Sequence, residues 1–111
     1  MKESEIFKLS LQIIKMIKMI RVLVKNFLES NSGPSNVQIS LVKELENRFR
    51  GRVEFEYLNA KENESQVSKY KIRELPTIII ECDGRERERF AGLTQQRFLK
   101  KAIEKNLSEC R

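Results

Sequence analysis

Asp83-Gly84 is the pair that most restricts what this chain can become. Both residues tolerate positive φ, as a two-residue hairpin turn requires, so the segments on either side are predicted to be antiparallel strands. The first arm, Leu75-Pro76-Thr77-Ile78-Ile79-Ile80, is apolar and is entered through a proline. The second, Arg85 to Phe90, alternates Arg and Glu. That pattern charges both faces and suits an edge strand that must not pair with another chain. Strict alternation puts Arg85, Arg87 and Arg89 on one face and Glu86 and Glu88 on the other.

The segments before the hairpin alternate strand and helix. Val22-Leu23-Val24, within Arg21 to Phe27, is a β-branched run of the kind found in strands buried on both faces. It leads into the turn Asn31-Ser32-Gly33-Pro34-Ser35-Asn36. Pro34 falls where proline is tolerated, in the first turn of a helix predicted to reach Arg50. Val37, Leu41, Leu45 and Phe49 recur every four residues along it, and Gly51 stops it. Val53, Phe55 and Tyr57 then share one face of a strand. A polar loop, Asn59 to Ser65, precedes a short helix around Ser65–Tyr70 that offers Val67 and Tyr70 to the core. After the hairpin, Gly92 and Thr94 end the strand. Thr94 is expected to cap a last helix with Phe98, Leu99, Ala102, Ile103 and Leu107 inward, and Ser108 to Arg111 to fray. At the N-terminus, Ser10 is a plausible cap for a helix over residues 11–19, with Ile13, Ile17 and Ile20 on one stripe. Glu5 to Leu9 is open between a short strand and the start of one longer helix. The order predicts an α/β domain, a mixed sheet with helices on both faces.

At 111 residues, 40% hydrophobic and 34% charged, the chain suits one globular domain, taken as residues 1–111. It contains no histidine, which excludes Ser-His and Cys-His nucleophilic pairs and histidine metal sites; no metal or cofactor is expected. Cys82 and Cys110 are too few and too distant for a disulfide scaffold, and read as reduced cytoplasmic thiols. Lys8, Lys15 and Lys18 interrupt the apolar N-terminal stretch, so no membrane span is expected, and no secretory signal pattern appears. The net charge of +6 is spread along the chain among glutamates, as on a solvated surface.

With its spacing, the pattern resembles the thioredoxin family. Gly33-Pro34, Gly51, Leu58-Asn59, Tyr70, Ile72-Arg73, Pro76-Thr77, Gly84, Gly92 and Asn106-Leu107 fall at family positions without a gap from Ser32 to Leu107. The resemblance is strongest over residues 20–107, and residues 1–19 diverge. It implies a thioredoxin fold, with Pro76 as the family's cis-proline. The departures gather in one place. Ser32 and Ser35 stand where the family carries its redox cysteines, and serine can neither attack nor form a disulfide. Asn26 replaces the buried aspartate, Asn31 the tryptophan before the first cysteine, Tyr57 a lysine near the acid, and Ser40 a helix proline.

Two accounts of the serines follow. In one, a protein-disulfide oxidoreductase has had its cysteines exchanged in the laboratory. In the other, redox function was lost naturally, and the accompanying changes at Asn26, Asn31 and Ser40 favour this. What the resemblance then implies is a non-catalytic module, monomeric, that binds a protein or extended peptide. Its groove would be formed by Gly33, Pro34, Ile72, Leu75, Pro76, Ala91 and Gly92, with Leu28 adding apolar contact and Leu75 pairing through its backbone. Three further possibilities carry less. Cys82 and Cys110 lack an evident means of lowering a thiol pKa. A nucleic-acid site on Arg85, Arg87 and Arg89 lacks interleaved aromatics, which argues against nucleic acid. Ser32 has no base to activate it as a hydrolytic nucleophile.

Overall fold

The computed structural model describes residues 5–10, 13 and 20–110. Its elements are β1 (Val22–Leu28), α1 (Gly33–Arg48), β2 (Val53–Asn59), α2 (Glu64–Lys69), β3 (Thr77–Cys82), β4 (Arg85–Ala91) and α3 (Gln96–Glu109). Residues 5–10 are helical, so the short-strand alternative does not hold there, and Ser10 lies within the helix instead of capping one. The helix expected over residues 11–19 falls outside the described residues except for Ile13.

The four strands run in the order β2-β1-β3-β4. β1 is central, parallel to β2 and antiparallel to β3, and β4 lies at the edge. The mixed α/β sheet expected from the element order is therefore present. On one face Val22, Val24, Ile78 and Ile80 pack with Val42 and Leu45 of α1, Phe49 just beyond it, and Leu99, Ala102 and Ile103 of α3. Alternation turns Leu23, Lys25, Phe27, Thr77, Ile79 and Glu81 to the opposite face.

Several local expectations are corrected. On α1 the buried positions are Ser35, Gln38, Val42 and Leu45, whereas Val37 is half exposed. A strict four-residue row drifts about 40° per step around a helix of 3.6 residues per turn, so it cannot stay on one face; the real stripe alternates steps of three and four. Phe98 likewise faces solvent, and Asn106 takes a buried position on α3. Its Nδ2 donates to the Ala102 carbonyl at 2.8 Å and to Glu88 Oε2 at 2.6 Å. α3 is preceded by Gln95 as its cap, while the Thr94 hydroxyl donates to the Gly92 carbonyl at 3.0 Å.

The hairpin turn has Asp83 at φ 52° and Gly84 at φ 80°, the left-handed pair such a turn needs. The returning strand does not alternate throughout. Ile80 faces Glu88 but Glu81 faces Glu86, leaving Arg87 as the extra residue of a β-bulge. The bulge puts Glu86 and Arg89 on one face, where they form an ion pair at 2.8 Å, and Arg87 reaches Glu109 of α3 at 3.5 Å. The row of three arginines does not exist.

Ser108 to Cys110 do not fray, and Arg111 lies outside the described residues. α3 continues to Glu109, and Cys110 is disulfide-bonded to Cys82 with Cα atoms 5.9 Å apart. The two cysteines are therefore not free thiols: the antiparallel return of β4 and α3 carries Cys110 back to the end of β3.

Candidate functional site

Ser32 sits in extended conformation immediately before α1 and acts as its N-cap. The Ser35 N–H donates to Ser32 Oγ at 3.4 Å, and the Asn36 N–H to the Ser32 carbonyl at 2.9 Å. This satisfies donors that a helix start leaves unpaired. Ser35 is fully buried, and its Oγ accepts the Glu29 N–H at 3.0 Å. Both hydroxyls thus hold the passage from β1 into α1. Gly33 and Pro34 form the exposed first turn.

Across the sheet end, the Leu75–Pro76 peptide is cis, and the Pro76 carbonyl accepts the Gly92 N–H at 2.7 Å. Gly92 has φ 84°, a conformation that favours glycine; a Cβ there would meet only the flexible end of the exposed Glu74 side chain. Ala91 pairs with Thr77 at the end of β4. Among the described residues, Leu75 makes no backbone hydrogen bond through its N–H or its C=O. Leu75 and Ile72 line a hollow of about 220 Å³ with Glu29, Ala60, Val67, Arg73 and Glu74. Gly33 and Pro34 do not line it. The link between the two halves of the site is Glu29, fixed by Ser35 and present at the hollow. Leu28 lies elsewhere, in a separate hollow with Asn31, Ile39 and Tyr57.

A residue not singled out in the sequence ties these loops together. Gln38, fully buried on α1, donates from Nε2 to the Thr94 carbonyl at 3.1 Å and accepts the Thr94 N–H at 2.8 Å. It locks the segment after Gly92 to the helix that Ser32 caps. Gln38→Ala is expected to destabilise the fold by about 2–3 kcal/mol, from two unpaired backbone groups and a small cavity. Denaturant unfolding measures it, and a loss near zero would mean that water replaces the amide.

The thioredoxin family model matches residues 11–105. The chain belongs to the thioredoxin family. It is 31% identical over 77 residues to chloroplastic thioredoxin M4 of Arabidopsis thaliana, covering 69% of this chain but only 40% of that protein. To the thioredoxin of Rickettsia conorii it is 29% identical over 75 residues, covering 68% of this chain and 71% of the other. Solved structures agree in fold. A malaria-parasite thioredoxin-2 superposes with TM-score 0.73 at 22% identity, covering 77% of this chain and 82% of that one. A Fasciola hepatica thioredoxin superposes with TM-score 0.67 at 23% identity, covering 91% of each chain.

In this member, Asn26 lies fully buried on β1. Its Nδ2 donates to the Glu56 carbonyl at 2.9 Å and reaches the Val24 carbonyl at 3.4 Å, while Oδ1 has no partner. An amide supplies a donor there that a carboxylate lacks. The Tyr57 hydroxyl donates to Glu46 Oε1 at 2.5 Å, and burial, then Glu46, raises the phenol pKa. Neither group titrates near neutrality.

On the opposite sheet face Lys25 and Glu81 are buried, with Tyr70 donating to Glu81 Oε2 at 2.5 Å. The Lys25 Nζ lies 4.6 Å over the Tyr70 ring and 3.2 Å from Gln66 Oε1. Burial pulls the Lys25 pKa down, but Tyr70, Glu56 and Glu81 outweigh it and hold the ammonium above its ordinary value. Burial and the bond to Glu81 raise the Tyr70 pKa against the opposing pull of Lys25. The disulfide sits at the other end of the sheet from Ser32. Cys82 pairs with Val22 at the start of β1, roughly 20 Å along the strand from its end.

Proposed function

We propose that this thioredoxin-family chain is a binding module that carries out no thiol–disulfide exchange at Ser32 and Ser35 and receives an extended protein or peptide segment beside Pro76. The observation that carries the reading is the unpaired backbone of Leu75, held next to the cis peptide by the Pro76–Gly92 hydrogen bond. An extended segment supplies the missing donor and acceptor as an added strand does. Ala60, Val67, Ile72 and Leu75 offer its side chains the apolar part of a hollow that Glu29, Arg73 and Glu74 also line, and the Gly92 N–H holds the Pro76 carbonyl beside it. The serines fit this reading, since their hydroxyls serve the backbone and bring no thiolate to the surface.

Two measurements test it. In a disulfide-reduction assay the chain is expected to show no turnover, and turnover by the unaltered chain would overturn the redox part. Titration with a degenerate library of extended hexapeptides is expected to shift the Leu75 amide resonance, and less so when the peptide backbone is N-methylated. No shift at Leu75 with any pool would remove the docking part.

A further inference from the structure

Beside Pro76 the surface opens into a cleft of about 630 Å³, lined by residues that include Lys69, Lys71, Arg73 and Arg89 against Glu74 and Glu86. Thr77 and Ala91, the pair that ends the β3–β4 ladder, also line it, and Arg73 and Glu74 line both this cleft and the hollow at Leu75, so the two adjoin. Its charges are not equally available. Arg89 is consumed internally: it grips Glu86 through two nitrogens, at 2.9 and 2.8 Å, and donates to the Tyr70 carbonyl at 2.6 Å. Arg89 therefore neutralises Glu86 and fixes the loop that follows α2, including Lys71 in its left-handed conformation at φ 53°. Among the described residues, the side chains of Lys71 and Arg73 make no hydrogen bond or ion pair, and Lys69 lies over the Tyr70 ring at 5.6 Å. Three cations thus project from the end of α2 and a loop held by the protein's own contacts, with Glu74 as the one unneutralised acid among the described residues of the cleft.

We infer that this cleft selects the partner: the segment received at Leu75 carries acidic residues that lie against Lys69, Lys71 and Arg73. The inference rests on the docking reading above and adds the chemistry of the partner to it. A pre-fixed loop presents its charges without the cost of ordering its backbone, and complementary charge sets partner choice and association rate more than raw affinity. A polyanionic nucleic acid fits less well. Glu74 opposes a continuous phosphate chain, and Tyr70, with its hydroxyl on Glu81, is the cleft's sole aromatic residue.

Three synthetic decapeptides of equal length, rich in Glu, in Ser/Asn or in Lys, test this by titration calorimetry and by the Leu75 amide shift. The Glu-rich peptide is expected to bind about tenfold more tightly than the neutral one at low salt, as a few exposed ion pairs allow. That margin is expected to shrink as salt screens it. Lys71→Gln/Arg73→Gln should bring the two affinities together. Equal affinities in the unaltered chain, or an acidic preference that survives the double substitution, would overturn the inference while leaving docking at Leu75 intact. Acidic binding abolished by the double substitution but without a Leu75 shift would support the cleft and remove the docking reading. Tighter binding of a single-stranded oligonucleotide than of the Glu-rich peptide would overturn the assignment of the partner.

Discussion

Reducing the bond between Cys82 and Cys110 is expected to lower the free energy of unfolding by about 3.5 kcal/mol. The two cysteines lie 28 residues apart, and a crosslink closing a loop of that size removes about this much chain entropy from the unfolded state. For a domain of this length the loss corresponds to a fall in Tm of about 15 °C. Thermal unfolding with and without dithiothreitol, with thiol titration confirming that two thiols appear, measures it. Cys110→Ser should reproduce the reduced value, because the bond and not the sulfur atoms carries the effect. Thiol release without any fall in Tm would mean that the packing of α3 holds the chain end unaided.

Asn26→Asp is expected to be the most damaging single substitution in the sheet near neutral pH, and harmless in acid. A protonated aspartic acid keeps a donor for the Glu56 carbonyl, whereas an ionised one sets a buried charge against that carbonyl and the nearby Val24 oxygen. Burial and the facing carbonyls disfavour the anion, so the folded pKa rises above the unfolded value of about 3.9. The folded state then holds the proton that the unfolded state gives up. Stability approaches that of the unaltered chain below about pH 4 and falls by about 1.4 kcal/mol per pH unit until the folded pKa is passed. A shift of about three units would cost about 4 kcal/mol at pH 7. Urea unfolding of both chains at pH 4 and pH 7 reads the difference directly. A substitution equally tolerated at both would show that water or a rearranged amide reaches the site.

What the sequence disclosed was local chemistry. Asp83-Gly84 announced its turn because positive φ restricts residue choice, and Pro34 and Gly51 marked the ends of α1 for similar reasons. The motif residues of the site, Ser32, Pro76 and Gly92, were legible by position. The misreadings arose where identity and environment part company. Gln38 and Asn106 look like surface residues and are buried, because each finds backbone partners that only the tertiary fold supplies. The bulge at Arg87 left no trace, since a strand charged on both faces has no apolar period whose slip would show. Lys25 and Glu81 carried no sequence signal of their own, and the sheet and Tyr70 cover them. The pairing of Cys82 with Cys110 depended on where α3 ends in space, which separation along the chain does not reveal.

That pairing also determines how the domain bears a load. Because Cys110 is bonded to Cys82, tension applied through the C-terminal end passes across the sulfurs into β3, and β4 and α3 hang outside the force path. Pulling the molecule from its two ends therefore leaves the 28-residue loop unextended, shortening the stretched chain by roughly 100 Å at full extension. The force enters at the antiparallel partner of β1, so the strands at the centre of the sheet must yield before the closing helix can.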